Sequence, residues 1–189
     1  SFFADIKTDL QGDFVKKIED FKPNAVVFST VVEDTWPQTH DLLKILSEYP
    51  HIKSLVGGVF TTMAPQKAIP YDYVQSIGIG EGENTVVDFC EAVRNKKPTT
   101  NILGTWAKDT NGKVNYNPPR QLVDLNKMPF ADFSLFDKKR FERPLGAKNW
   151  KAISLESYRG CPYTCTFCNS PTQKILAEQR EQGEFVRRK

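Results

Sequence analysis

Ile52-Lys53-Ser54-Leu55-Val56-Gly57-Gly58 decides the fold: a short apolar strand running straight into two glycines. Upstream, Ala25-Val26-Val27-Phe28-Ser29 is a continuous apolar run of the buried, parallel kind, and Phe2-Phe3-Ala4-Asp5-Ile6 reads as a further strand before it. Helical spacing separates these runs. Phe14, Ile18 and Phe21, with Val15 beside them, share one helix face that Pro23-Asn24 terminates. Thr35 is placed to cap a second helix, with Trp36-Pro37 in its first turn and Leu42, Leu43 and Ile45 as its apolar face. Downstream of the glycines come a short helix over 62–69, a strand over 73–79 and a helix through Val87, Cys90 and Val93. Gly80-Glu81-Gly82-Glu83 joins the last two. Strands alternating with helices of this length specify an α/β domain, a parallel sheet with helices on both faces, ending near residue 97.

From 98 to 150 the pattern changes. Asp109-Thr110-Asn111-Gly112 sits between plausible strands at 103–108 and 113–116 and predicts a hairpin. Asn117-Pro118-Pro119 and Met128-Pro129 then punctuate an irregular linker. Its Phe130, Phe133, Leu135 and Phe136 are expected to dock it onto the rest of the chain. The segment 152–156 is expected to be a last strand, leading into a cysteine-bearing loop.

The bulk numbers exclude some functions. The 189 residues carry a formal net charge of +3, too little to point to nucleic acid, and Arg187-Arg188-Lys189 reads as a solvated stretch. No apolar run approaches the roughly 20 residues that span a bilayer, so no membrane role and a cytoplasmic location are expected. The chain starts without Met inside an apolar run and stops after a charged one, and is expected to be an internal piece of a larger protein. Three of its four cysteines fall within eight residues, which suggests metal or redox chemistry rather than a disulfide scaffold.

Those three lie in Tyr158-Arg159-Gly160-Cys161-Pro162-Tyr163-Thr164-Cys165-Thr166-Phe167-Cys168-Asn169, with spacing C-x3-C-x2-C. Thiolates are soft ligands suited to Fe–S clusters, zinc and copper. Cys161, Cys165 and Cys168 on one short loop can hold three irons of a 4Fe-4S cubane and leave the fourth open to chelate S-adenosyl-L-methionine (SAM). Ferredoxin runs are spaced C-x2-C-x2-C and ligate every iron. Structural zinc sites pair C-x2-C knuckles or add histidines, and the two histidines here, His40 and His51, lie far upstream. A zinc site or a redox-active thiol cluster remains open on spacing alone. Cys90, beside Phe89 on an amphipathic helix, reads as a buried structural thiol.

The cysteine loop resembles that of the radical SAM superfamily, whose signature is C-x3-C-x-aromatic-C after the first strand of a (β/α) barrel. The resemblance puts Phe167 in the aromatic slot near the adenine of SAM. The upstream domain resembles the Rossmann-like cobalamin-binding domain of one radical SAM class. It does so through Val26-Val27-Phe28-Ser29-Thr30, Leu55-Val56-Gly57-Gly58 and Ile79-Gly80-Glu81-Gly82-Glu83-Asn84-Thr85, and the linker's Leu125, Met128-Pro129 and Asp132 are similar too. Ligands of open α/β sheets sit beyond the carboxyl ends of the strands. There Ser29, Thr30, Gly57, Gly58, Gly80, Glu81 and Gly82 become the candidate cofactor-binding residues. Each glycine serves equally well in a tight strand-to-helix turn. The D-x-H-x-x-G motif of cobalamin-dependent mutases is not seen.

Three regions are therefore expected: a cobalamin-binding-like domain at 1–97, a hairpin and linker at 98–150, and the truncated start of a radical SAM barrel at 151–189. The resemblance implies an enzyme using a 4Fe-4S cluster, SAM and cobalamin, with an electron donor such as flavodoxin or ferredoxin. Reductive cleavage of SAM to methionine and a 5′-deoxyadenosyl radical would drive methyl transfer or carbon-skeleton modification. Two alternatives stay open: a radical SAM enzyme of another type with a structural upstream domain, and a non-enzymatic iron–sulfur or zinc module. The substrate and any acid–base residues are not legible.

Overall fold

The computed structural model describes residues 10–153 and 155–188. The chain divides into two compact units, Ser1–Leu122 and Val123–Lys189. The strand expected at Phe2–Ile6 lies outside the described residues.

In the first unit α1 (Leu10–Phe21) precedes β1 (Ala25–Ser29), α2 (Trp36–Leu46) and β2 (Lys53–Gly57). Two short helices follow, α3 (Val59–Met63) and α4 (Pro65–Ala68), where the sequence predicts one. Pro65 opens the second of them, since proline tolerates the first helical turn but not the interior. Then come β3 (Ser76–Gly78), α5 (Glu83–Arg94), β4 (Thr105–Lys108) and β5 (Val114–Tyr116). The sheet order is β1-β2-β3-β4-β5. β1, β2 and β3 are parallel, with Ser29 opposite Gly57 and Val56 opposite Ile77. The hairpin β4–β5 joins antiparallel through Ile77↔Trp106, so the sheet runs past residue 97 and is mixed.

Alternation along β2 sends Leu55 and Val56 to opposite faces. Leu55 packs with Phe89 and Ile102, while Val56 packs with Trp36, Leu43, Phe60 and Ile77. Helices thus cover both faces, and full burial of each such side chain is worth about 1.5–3 kcal/mol. On α2 the buried residues are Trp36, Thr39, Leu43 and Leu46; of the expected face Leu43 is buried, and Leu42 and Ile45 are half-buried. Thr35 takes the N-cap position of that helix as expected, but its side chain makes no capping bond and its hydroxyl donates to Val32 O at 2.8 Å.

In the second unit, 3-10 turns at Leu125–Lys127, Phe133–Leu135 and Lys138–Phe141 are each opened by an aspartate. The carboxylates of Asp124, Asp132 and Asp137 accept the backbone N–H two residues on, at 3.0, 2.9 and 2.9 Å. A hairpin, β6 (Glu142–Leu145) with β7 (Lys148–Lys151), turns through Gly146 and Ala147 at φ 59° and 60°. Two positive φ values are the mark of a type I′ turn. Of the strand expected over 152–156, the described residues 152, 153, 155 and 156 are irregular. The local turn closes the pairing instead, and Ala152 N–H continues it to Phe141 O at 2.8 Å. A parallel strand would need partners from distant segments. Finally β8 (Tyr158–Arg159) pairs with β9 (Arg187–Arg188), with α6 (Ser170–Gln179) between them in sequence. Arg187, the described part of the basic end, is engaged rather than solvated, its Nε donating to Val123 O at 3.0 Å.

Candidate functional site

The carboxyl ends of β1, β2 and β3 meet at Ser29, Gly57 and Gly78. Thr30 N–H donates to Gly57 O at 2.9 Å and Phe60 N–H donates to Thr30 O at 3.1 Å, which ties the first two strand ends together. Thr30 itself is fully buried, its hydroxyl 3.0 Å from that of Thr39. It braces the site from beneath. Gly58 has φ +109°, and a Cβ there would stand 2.3 Å from Thr30 O. Only glycine allows that approach.

Two threonines that the sequence reading passed over complete the frame. Thr61 Oγ1 donates to Gly78 O at 2.8 Å, and Thr62 Oγ1 donates to Gly58 O at 2.9 Å while accepting Gly80 N–H at 3.0 Å. The first turn of α3 thus carries the third strand end and the Gly80 loop, whose φ is +86°. The signal for them was a Thr-Thr pair separated from Gly57-Gly58 by two residues.

The cradle is open above this frame. A Cβ on Gly57 would find only Phe28 O, at 3.9 Å, and one on Gly82 only Val86 Cγ2, also at 3.9 Å. Ser29 and Gly82 are exposed, and Gly57, Gly58, Gly80 and Glu81 half-buried. Space kept clear by glycines at the carboxyl ends of the strands is where open α/β sheets take their ligands.

The cysteine loop lies in the second unit. Gly160, at φ +83°, leaves no room for a side chain, since a Cβ would be 2.3 Å from Phe185 O. This pins the backbone where Cys161 begins. Cys168 N–H donates to Cys165 O at 3.2 Å, and Ser170 N–H reaches Cys168 Sγ at 3.4 Å. Cys161 is half-buried, and Cys165 and Cys168 are exposed free thiols. Their chemistry suits an Fe–S cluster, but among the described residues no three ligating side chains converge on a common point. Phe167 is 92% exposed.

One expectation is corrected here. Cys90 is not a buried structural thiol but an exposed one, because α5 buries Thr85 and Phe89 and position 90 turns away from that face. Of the linker side chains, Phe130, Leu135 and Phe136 are exposed, Phe133 is half-buried, and Phe133 and Phe136 approach Phe141 at 5.9 and 6.4 Å between ring centroids.

Comparison with known proteins matches residues 3–89 to the family described as B12 binding domain. The chain is 26% identical over 168 residues to an uncharacterized methyltransferase of Pyrococcus horikoshii, covering 86% of this chain and 35% of that protein. The chain thus spans about a third of that relative's length. Among solved structures it resembles the cobalamin-dependent S-adenosylmethionine radical enzyme OxsB with aqua-cobalamin and S-adenosylmethionine bound. The TM-score is 0.62 at 23% identity, covering 83% of this chain and 21% of that one. It also resembles the radical S-adenosylmethionine methyltransferase TsrM of Kitasatospora setae with cobalamin and a [4Fe-4S] cluster bound, at TM-score 0.52 and 18% identity, covering 87% and 34%. Residues 3–89 of the first unit thus match the B12 binding domain in sequence, and the likeness to these structures is one of a shared Rossmann-like fold.

Proposed function

We propose that the chain belongs to a radical SAM enzyme that binds cobalamin beyond the strand ends Ser29, Gly57 and Gly80–Gly82, for radical-based methyl transfer or carbon-skeleton modification. The observation that carries this reading is the glycine-cleared cradle at the carboxyl edge of a sheet matched to the B12 binding domain. When bound, the cofactors supply the radical and methyl-transfer chemistry. The chain's own contribution is position. Gly57 and Gly82 keep space open, while Thr30, Thr61 and Thr62 lock three strand ends into one frame. Cys161, Cys165 and Cys168 are the thiols proposed for the 4Fe-4S cluster that would bind SAM, and their loop must close to gather them.

The test has two arms on one preparation. Hydroxocobalamin, followed by its visible spectrum after gel filtration, is expected to bind, and Gly57→Val to weaken that binding by filling the open space. Anaerobic reconstitution is expected to load about four irons per chain, lost in Cys165→Ala and kept in Cys90→Ala. Full cobalamin affinity in Gly57→Val sinks the cradle; iron loading that depends on Cys90 sinks the three-thiol assignment.

A further inference from the structure

The end of the sheet away from the cradle holds a cavity of about 640 Å³. Asn24 and Lys53 line it from the amino ends of β1 and β2, and His51 from the residues just before β2. Arg94, Lys96 and Lys97 line it from the last turn of α5 and beyond. Four permanent cations and a histidine therefore face one concavity whose lining includes no aspartate or glutamate. The nearby Glu91 lies 3.5 Å from Arg94 on the helix surface, with both side chains more than half exposed.

The α5 macrodipole explains part of this. Cations near a helix carboxyl end are stabilised by the partial negative charge there. That accounts for Arg94 and for the pair after it, but not for Lys53, which comes from the adjacent strand. The backbone adds a second constraint. Lys97 N–H bonds to Ala92 O at 2.8 Å and Lys96 N–H to Val93 O at 3.1 Å, a Schellman closure. The left-handed position of that closure, which favours glycine, is held by Lys96 at φ 53°. The two lysines are thus presented from a hydrogen-bonded turn. Val93 and Ala25 give the cavity an apolar wall.

The geometry points to a binding site for a phosphorylated small molecule, held by Lys53, Arg94, Lys96 and Lys97, at the edge of the sheet opposite the cobalamin cradle. The volume falls in the range of about 300–1,000 Å³ typical of small-ligand pockets. Glu91 offsets Arg94 alone from the helix surface, and clustered like charges of this kind are satisfied best by a multiply charged anion. This site does not depend on the cobalamin reading.

Calorimetric titration of the full chain at low ionic strength, where exposed charges are least screened, tests it. The probes are inorganic pyrophosphate and ADP, and saturable one-to-one binding is expected. Lys53→Glu and Lys97→Glu should each weaken it by about tenfold or more, since each places a negative charge beside the anion. Lys67→Glu, at an exposed lysine paired with Glu33 elsewhere, should leave it unchanged. Tighter binding of ADP would identify a nucleotide site, and equal binding a site for the phosphate group alone. The proposal is overturned if neither probe saturates, or if affinity survives in both Lys53→Glu and Lys97→Glu. Lys97 lies in an exposed loop, so its variant reads binding even if the strand variant folds poorly.

Discussion

Neighbouring glycines at 57 and 58 do different work. A Cβ on Gly57 meets nothing closer than 3.9 Å, whereas one on Gly58 would stand 2.3 Å from Thr30 O, on a backbone at φ +109°. Gly58→Ala is therefore expected to destabilise the first unit by about 2–5 kcal/mol, combining a left-handed backbone with overpacking. Gly57→Ala should cost less than about 1 kcal/mol, because strand backbone accepts any residue and the space is free. Urea denaturation followed by circular dichroism separates them. Equal midpoints for the two variants would mean that the strand ends do not approach as closely as described. The same comparison shows why Thr30 and Gly57 belong to different roles: one is buried under the site, the other keeps it open.

Among the elements, the aspartate-opened turns of the second unit make the clearest pH-dependent feature. Ser134 hydroxyl and N–H both donate to Asp132, at 2.6 and 2.9 Å, and hold its carboxyl below the usual aspartate range. The Asn126 N–H does the same for Asp124, with Lys127 assisting. A carboxylate whose pKa is depressed by folding stabilises its turn above the ordinary aspartate value. That contribution is lost as pH falls through the lower folded value. The amide resonances of Asn126 and Ser134 should accordingly titrate with midpoints below that of an unstructured aspartate. Asp132→Asn should remove the titration at Ser134. Midpoints at the ordinary value would show that the carboxylates do not hold the turns. The hairpin β6–β7 illustrates a different control: Gly146-Ala147 closes it locally and draws the segment up to Ala152 into its pairing.

For the whole molecule, the question is where the core lies. Phe89 is 1% exposed and packs with Leu55 and Ile102, while Phe130 is 83% exposed. Phe89→Ala should cost about 3–5 kcal/mol in urea denaturation, and Phe130→Ala less than about 0.5 kcal/mol. A large loss in Phe130→Ala would place that ring in a core. Periodicity determined the α/β class, the helices α1, α2 and α5 and the parallel pairing of the first strands, because 3.6- and 2-residue repeats record which faces are buried, and the turn residues Asp109–Gly112 marked the hairpin after them. Residue chemistry likewise marked the cysteines and the strand-end glycines. Only the tertiary structure decided that β4–β5 extends the sheet past residue 97, that Cys90 faces out and that Thr61 and Thr62 tie the ends of β2 and β3. Those outcomes depend on pairings between segments distant in sequence, and a local pattern carries no record of which distant partner a hydrogen bond finds. Lys53 and Lys97 share one cavity for the same reason: 44 positions separate them in the chain, and strand and helix packing brings them together.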